Sequence, residues 1–196
     1  MPELMELDHL GSERAEEVAE RLAFYEPRFI VLDPVLVATS GDALSAPDTS
    51  EVIVQHLFPL ATLVTPNLSE AARLSNQAIP ADPEGMRRAA ALLHARGAKA
   101  VLVKGGHLSG ATSDDLLFDG TSYRLFSVPR VVTRNTHGTG CTLSSAIAAY
   151  LAQGFELGEA IGAAKPYLAG ALAAADQLSA GLGPGPVHHF HELWRR

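Results

Sequence analysis

Hydrophobic and polar positions along the chain follow two periods, one helical and one suited to buried strands, separated by short connections rich in Gly, Pro, Asn and Asp. The first predicted helix runs from the capping residue Ser12 to about Tyr25, because Ala15, Val18, Ala19 and Leu22 recur at three- and four-residue spacing and Pro27 lies just beyond. Phe29 to Leu32 is a continuous apolar run, the pattern of a strand buried on both faces, and it ends at Asp33-Pro34. A loop from Ala38 to Pro47 leads to Asp48, which caps a helix expected through Leu57, and Thr62 to Val64 is the next strand, ending at Thr65-Pro66-Asn67. Helices from Leu68 to Leu74 and from Pro83 to Arg96, the second stopped by Gly97, precede a third strand, Ala100 to Val103, which ends at Lys104-Gly105-Gly106. Asp115 to Phe118 and Tyr123 to Val128 flank Asp119-Gly120 and predict a hairpin. A long helix is expected from Gly138 to Gly154 and another from about Leu157 to Leu178, followed by a loop over 181–186.

Such an order predicts an α/β fold with a mostly parallel central sheet, mixed at one edge. Asp33, Asn67 with nearby Glu70, and Lys104 each fall just past the carboxyl end of a predicted parallel strand. That edge is where open α/β sheets bind ligands.

Composition narrows the picture. A chain of 196 residues, 47% hydrophobic and 19% charged, is sized for one domain with a packed core, and disorder is excluded. No apolar run approaches the roughly 18 residues of a spanning helix. One cysteine allows no internal disulfide, and Met1 to Glu6 has neither the basic nor the apolar region of a signal peptide, so the expected compartment is the cytoplasm. A net charge of −7 without a Lys/Arg cluster argues against a general nucleic-acid or anionic-membrane binder, though not against a localised phosphate site. A bound phosphate would therefore be held by local geometry.

The candidate chemistry follows. Carboxylates such as Asp33 and Glu70, with the Asn67 amide oxygen, suit a Mg²⁺ that keeps several waters; Asn67 and Glu70 equally suit a helix cap with a first-turn acid. Lys104, flanked by Gly105 and Gly106, could neutralise a phosphate or serve as a structural partner at a strand end. Asn135-Thr136-His137-Gly138-Thr139-Gly140-Cys141 precedes a long helix rich in small residues, so its backbone N–H groups and the helix dipole form an anion cradle. Cys141 falls in the first turn, where a thiolate is favoured and could act as base or nucleophile; a small buried residue is the other reading. Neither a G-x-x-x-x-G-K-[ST] loop nor a G-x-G-x-x-G turn after a strand is present. His188, His189 and His191 form a tail cluster that could take a stray transition metal or simply pack as a C-terminal segment.

Taken together, VLDPVLVATSGDALS (31–45), LFPLATLVTPNLSEAARL (57–74), VLVKGGH (101–107), DDLLFDG (114–120), NTHGTGCTLSSAIAAYLAQG (135–154) and GPVHHFHEL (185–193) resemble the hydroxymethylpyrimidine/phosphomethylpyrimidine kinases of thiamine biosynthesis, within the ribokinase superfamily. The resemblance runs from about residue 10 to the end, and Cys141 stands where most ribokinase-like sugar kinases carry Asp. It implies one ribokinase-like three-layer α/β/α domain over residues 1–196 that phosphorylates hydroxymethylpyrimidine phosphate, using ATP and Mg²⁺. In that reading Cys141 activates the acceptor oxygen while the backbone of Gly138, Thr139 and Gly140 stabilises the transferring phosphoryl group. Asn67 and Glu70 correspond to an N-x-x-E element organising Mg²⁺ and phosphate, and Asp33 joins the same metal network. Lys104, Gly105, Gly106 and Thr136 lie at the ATP phosphates, with Val35, Val37 and His137 at the pyrimidine.

The resemblance also implies an absence. Family members begin with a strand, a Gly/Asp-rich loop and a segment carrying a pyrimidine-binding Gln, none of which is found here, so the domain is expected to be N-terminally truncated with an uncovered sheet edge. Expected partners are the pyrimidine, ATP and a second copy in a homodimer, with no nucleic acid and no membrane. A pyridoxal kinase on the same scaffold, and a silent remnant that binds nucleotide or a partner, are the alternatives.

Overall fold

The apolar runs of the sequence settle into one mixed sheet whose strands lie side by side in chain order. The computed structural model describes residues 3–6, 12–36, 49–178 and 183–194. Strand β1 (Glu3–Glu6) is followed by helix α1 (Ser12–Tyr25), β2 (Ile30–Asp33), α2 (Thr49–Val52), β3 (Leu63–Val64), α3 (Leu68–Ser75), α4 (Pro83–Ala95) and β4 (Val101–Lys104). The hairpin β5 (Thr112–Phe118) and β6 (Tyr123–Pro129), then α5 (Thr139–Ala152) and α6 (Leu157–Ala173), complete it. Pairing is parallel from β1 through β4 and antiparallel from β4 to β5 and β5 to β6. The sheet is thus mixed, with its antiparallel pairs confined to the β5–β6 side, where the sequence placed the hairpin. Each hairpin strand has seven residues, longer than the apolar pattern alone marked out.

Alternation along the strands sorts the core into two layers. Ile30, Leu32, Val64, Val101, Val103 and Leu116 face α1 to α4, while Val31, Leu63, Leu102 and Leu117 face α5 and α6. Because both faces of β2 to β4 are covered, these central strands contain no polar alternation before their last residues and read as runs of Val, Ile and Leu, whereas β6 is largely exposed. Asp119 tightens the hairpin turn, accepting from the backbone N–H groups of Thr121 and Ser122 at 2.9 and 2.7 Å, and Gly120 supplies the positive φ of 91°.

Three expectations need correction. The helix predicted through Leu57 gives way after Val52 to a π-helical turn over Ile53–Leu57, closed by Phe58 N–H on the Ile53 carbonyl at 3.2 Å; the wider turn sends Ile53, Val54, Leu57 and Phe58 all into the core. The last helix stops at Ala173 rather than Leu178, and a 3₁₀ turn over Ala175–Gln177 turns Asp176 back to Thr133 and Asn135. Strand β1 was not foreseen at all, being a four-residue acidic segment that pairs in register with β2.

Candidate active site

Since β2, β3 and β4 run parallel, Asp33, Thr65 and Lys104 emerge at one edge of the sheet. Lys104 Nζ lies 2.6 Å from Asp33 Oδ1 in an ion pair whose side chains are 13% and 2% exposed. Thr65 donates to the same Asp33 oxygen at 3.3 Å, and its hydroxyl stands 2.9 Å from that of Ser144 in α5, which reaches the Gly140 carbonyl at 3.2 Å. A chain of short polar contacts thereby ties the first turn of α5 to the ends of three strands. Thr65 and Ser144 were missed in the sequence.

Asn67 and Glu70 form a capping box at the start of α3: Asn67 Oδ1 accepts from Glu70 N–H at 2.9 Å, and Glu70 Oε2 accepts from Asn67 N–H at 2.7 Å. Their cap reading is therefore seen directly, at the edge of the same site, where the Asn67 backbone pairs with that of Lys104 in an isolated parallel bridge. Burial holds the Glu70 carboxyl above its usual range and the Asp33 charge pushes it further, against the opposing pull of Lys104 and of the Asn67 and Leu36 backbone N–H groups. Lys104 shows the opposite balance of environment and charge. Burial disfavours its ammonium, but Asp33 and Glu70, with a smaller contribution from the Cys141 thiol, outweigh it and raise its pKa, so the ammonium persists at neutral pH.

Above the pair sits the start of α5. Gly138 caps the helix in the left-handed region at φ 78°, a conformation that strains side-chain-bearing residues. Thr139 fastens the turn through its hydroxyl, 2.6 Å from the Thr136 carbonyl, and Thr142 through its own, 2.7 Å from that of Gly138. Gly140 faces the ion pair so closely that a Cβ there would lie 3.1 Å from Lys104 Nζ and 3.6 Å from Asp33 Oδ2. Cys141 follows, partly buried, at one end of an open cleft of about 700 Å³ that continues along α5 past Thr142, Ser145 and Ala149 to Tyr167 and His189. The loop before the helix is pinned to the tail, with His137 N–H on the Gly185 carbonyl at 3.2 Å and Gly185 N–H on Asn135 Oδ1 at 2.8 Å.

The connection after β4 is held from two directions. Gly105 packs against β5 so tightly that a Cβ would meet the Asp114 carbonyl at 2.2 Å, and its N–H donates to Asp115 Oδ1 at 3.0 Å. Arg130, just after β6, spends its guanidinium on the carbonyls of Gly106, Leu108, Gly110 and Thr112, at 2.5, 2.5, 2.9 and 2.9 Å. Neither Asp115 nor Arg130 carried any local signal of these roles.

Asp33, Asn67, Glu70, Lys104, Gly140 and Cys141 are thus brought together. Gly106, Thr136 and His137 are exposed on the rim. Val35 adopts φ 33°, a strained conformation for a β-branched residue, directly beyond Asp33, and Val37 lies outside the described residues. Among the described residues no three His, Cys, Asp or Glu side chains cluster as metal ligands, and the tail histidines pack instead: His188 against the Trp194 ring at 5.2 Å, His191 against Tyr167 at 5.4 Å. No described helix is long and apolar enough to cross a membrane.

Residues 10–188 match the family described as phosphomethylpyrimidine kinase. The hydroxymethylpyrimidine/phosphomethylpyrimidine kinase of Rhizobium meliloti is 53% identical over 178 residues, 91% of this chain and 66% of its own. In structure, a pyridoxal kinase of Bacillus subtilis solved with ADP superposes with a TM-score of 0.86 at 32% identity, covering 94% of this chain and 68% of its own. The phosphomethylpyrimidine kinase of Clostridium difficile 630 superposes with a TM-score of 0.68 at 35% identity, covering 81% and 65%. The fold shared with them is the ribokinase-like α/β arrangement. The chain spans about two thirds of the length of the curated kinases it matches.

Proposed function

Because the chain belongs to the phosphomethylpyrimidine kinase family, we propose that it transfers the terminal phosphoryl group of ATP to hydroxymethylpyrimidine phosphate in the making of thiamine diphosphate. The observation that carries this reading is the Gly140 backbone seated on the Lys104–Asp33 pair. A charged, mostly buried ammonium beneath an open helix start is an arrangement for receiving a phosphate, and phosphoryl transfer asks a protein mainly for positioning and charge stabilisation.

In this proposal Lys104 neutralises phosphate charge as a compact cation, anchored by Asp33 so that the ammonium stays under the helix start. Gly138 and Gly140 offer backbone N–H groups to the transferring group, Thr139 joins them on releasing its N–H from the Thr136 carbonyl at 3.3 Å, and the first-turn dipole adds to their effect. Cys141 Sγ, as the thiolate, takes the proton of a monoprotonated acceptor phosphate; the freed oxygen bonds to the terminal phosphorus of ATP as the bond from that phosphorus to the bridging oxygen breaks and ADP leaves. Gly105, Gly106 and Thr136 are assigned to the ATP phosphates, Val35, Val37 and His137 to the pyrimidine. A Mg²⁺ would neutralise charge on the phosphate oxygens. The donor set fits such an ion held mainly through water: Asp33 Oδ2 faces the helix start, whereas one Glu70 oxygen is already engaged in the α3 cap. Glu70 is accordingly assigned to the metal through water and not by direct ligation.

Pyridoxal is the second acceptor to test, given the close superposition on pyridoxal kinases. The higher identity to a pyrimidine kinase, 53% against 32%, favours the pyrimidine. Mg-ATP-dependent phosphorylation of hydroxymethylpyrimidine phosphate, with pyridoxal as competing acceptor and Cys141→Ala as control, decides between them. Turnover of the pyrimidine that the control abolishes supports the proposal; turnover of pyridoxal alone, or none of either with ADP still bound, overturns it.

A further inference from the structure

Four charges alternate in sign through the interior: Asp33 and Lys104, then Asp115 and Lys165. Lys104 and Asp115 are directly opposed across β4 and β5, so their side chains leave the same face of the sheet, the face covered by α5 and α6. Lys165, on α6, places Nζ 2.5 Å from Asp115 Oδ2, and the two residues are 4% and 2% exposed. Nothing in the proposed chemistry uses this second pair, yet burying it is costly, and well-packed apolar side chains of the same size stabilise such sites at least as well. What hydrocarbon could not do is accept a hydrogen bond. Asp115 Oδ1 takes the N–H of Gly105, the first amide past the end of β4, in a position where contact with the Asp114 carbonyl leaves no room for a side chain.

We infer that Asp115 and Lys165 are positioning residues for the phosphate loop, acting through the Gly105 N–H. Lys165 fixes the orientation of the Asp115 carboxylate, Asp115 fixes the peptide between Lys104 and Gly105, and that peptide aims Lys104 at Asp33 under the start of α5. Arg130 holds the later part of the same loop by its carbonyls, so a loosened Gly105 is felt at the loop's beginning. The inference rests on the nucleotide site proposed above for its effect on affinity, and on geometry alone for its effect on the loop.

Two charge-free pairs separate positioning from packing. Asp115→Leu with Lys165→Met removes both charges and the acceptor; Asp115→Asn with Lys165→Met removes both charges but keeps an acceptor for Gly105. Amide hydrogen exchange of the segment 104–112, ADP affinity and melting temperature are measured on each. The Leu/Met chain is expected to melt near the wild type while the Gly105 amide exchanges about tenfold faster and ADP binds about tenfold more weakly, the change set by one lost charge-assisted hydrogen bond. The Asn/Met chain should recover most of both. Wild-type exchange and affinity in the Leu/Met chain, or equal losses in the two pairs, would overturn the inference. If Leu/Met does not fold, Lys165→Met alone is read in the same way, with faster Gly105 exchange expected and unchanged exchange overturning it. Should the wild type itself fail to bind ADP, the kinase reading fails, and the exchange measurement still decides whether Asp115 and Lys165 order the loop.

Discussion

Gly140 lies over Lys104 with no space for a side chain between them: a Cβ would stand 3.1 Å from Nζ. Such a contact is tighter than an ordinary one, so the ammonium has to give way by a few tenths of an ångström from its place under the helix start. Gly140→Ala should therefore weaken ADP binding by about tenfold, equivalent to about 1.4 kcal/mol. Its melting temperature should stay within a few degrees, since alanine favours the helix it enters. Calorimetric titration with ADP checks this; unchanged affinity would mean that phosphate does not approach at residue 140.

Cys141 stands one residue further into α5, where it lines the cleft. If its sulfur accepts the acceptor's proton, Cys141→Ala should lower turnover by about 10²-fold, the usual scale of a lost general base, while ADP affinity changes less than threefold. Cys141→Ser should fall between, because a hydroxyl is a poorer proton acceptor than a thiolate. Equal turnover in all three chains would remove the sulfur from the chemistry.

Lys104 has a structural duty besides its chemical one. Removing it leaves Asp33, 1% exposed, as a buried carboxylate without its cation. Lys104→Met should cost about 3 kcal/mol of stability. Adding Asp33→Asn should recover most of that loss while ADP affinity stays low. Denaturant unfolding of the single and double variants, beside ADP titration, makes the separation; affinity returning together with stability would mean that Lys104 serves only the fold.

The strands were legible because both faces of the sheet are covered, which leaves Ile30 to Leu32 and Val101 to Val103 as unbroken apolar runs. Asp33, Asn67 and Lys104 were legible by position, each following such a run, and the helix start by its two glycines. What stayed hidden depends on partners far away in the chain. Thr65 meets Ser144 across 79 residues and Lys165 meets Asp115 across 50, and no local pattern in Thr-Pro-Asn or Ala-Lys-Pro announces the other half. Arg130 looks like an ordinary charged residue after a strand until the loop folds around it. The π turn at Ile53–Leu57 has the same cause, since the core and not the local sequence selects it.

Glu70 gives the site a pH dependence whose sign is fixed. Burial first, and the Asp33 charge after Lys104's opposing effect, hold its folded pKa above the ordinary 4.5, so the folded chain binds the proton more tightly than the unfolded one. The stability this group contributes is fully present below 4.5 and is lost as pH rises through the raised value. Glu70→Gln retains a side-chain oxygen for the Asn67 N–H while removing the titration. The melting temperature of the variant, measured relative to the wild type, should accordingly climb as pH rises from about 4 through the raised pKa and level off above it. A difference that stays flat, or falls, over that range would show that Glu70 keeps its charge at no cost in the folded chain. In that case its carboxylate would be available to a metal ion directly and not through water.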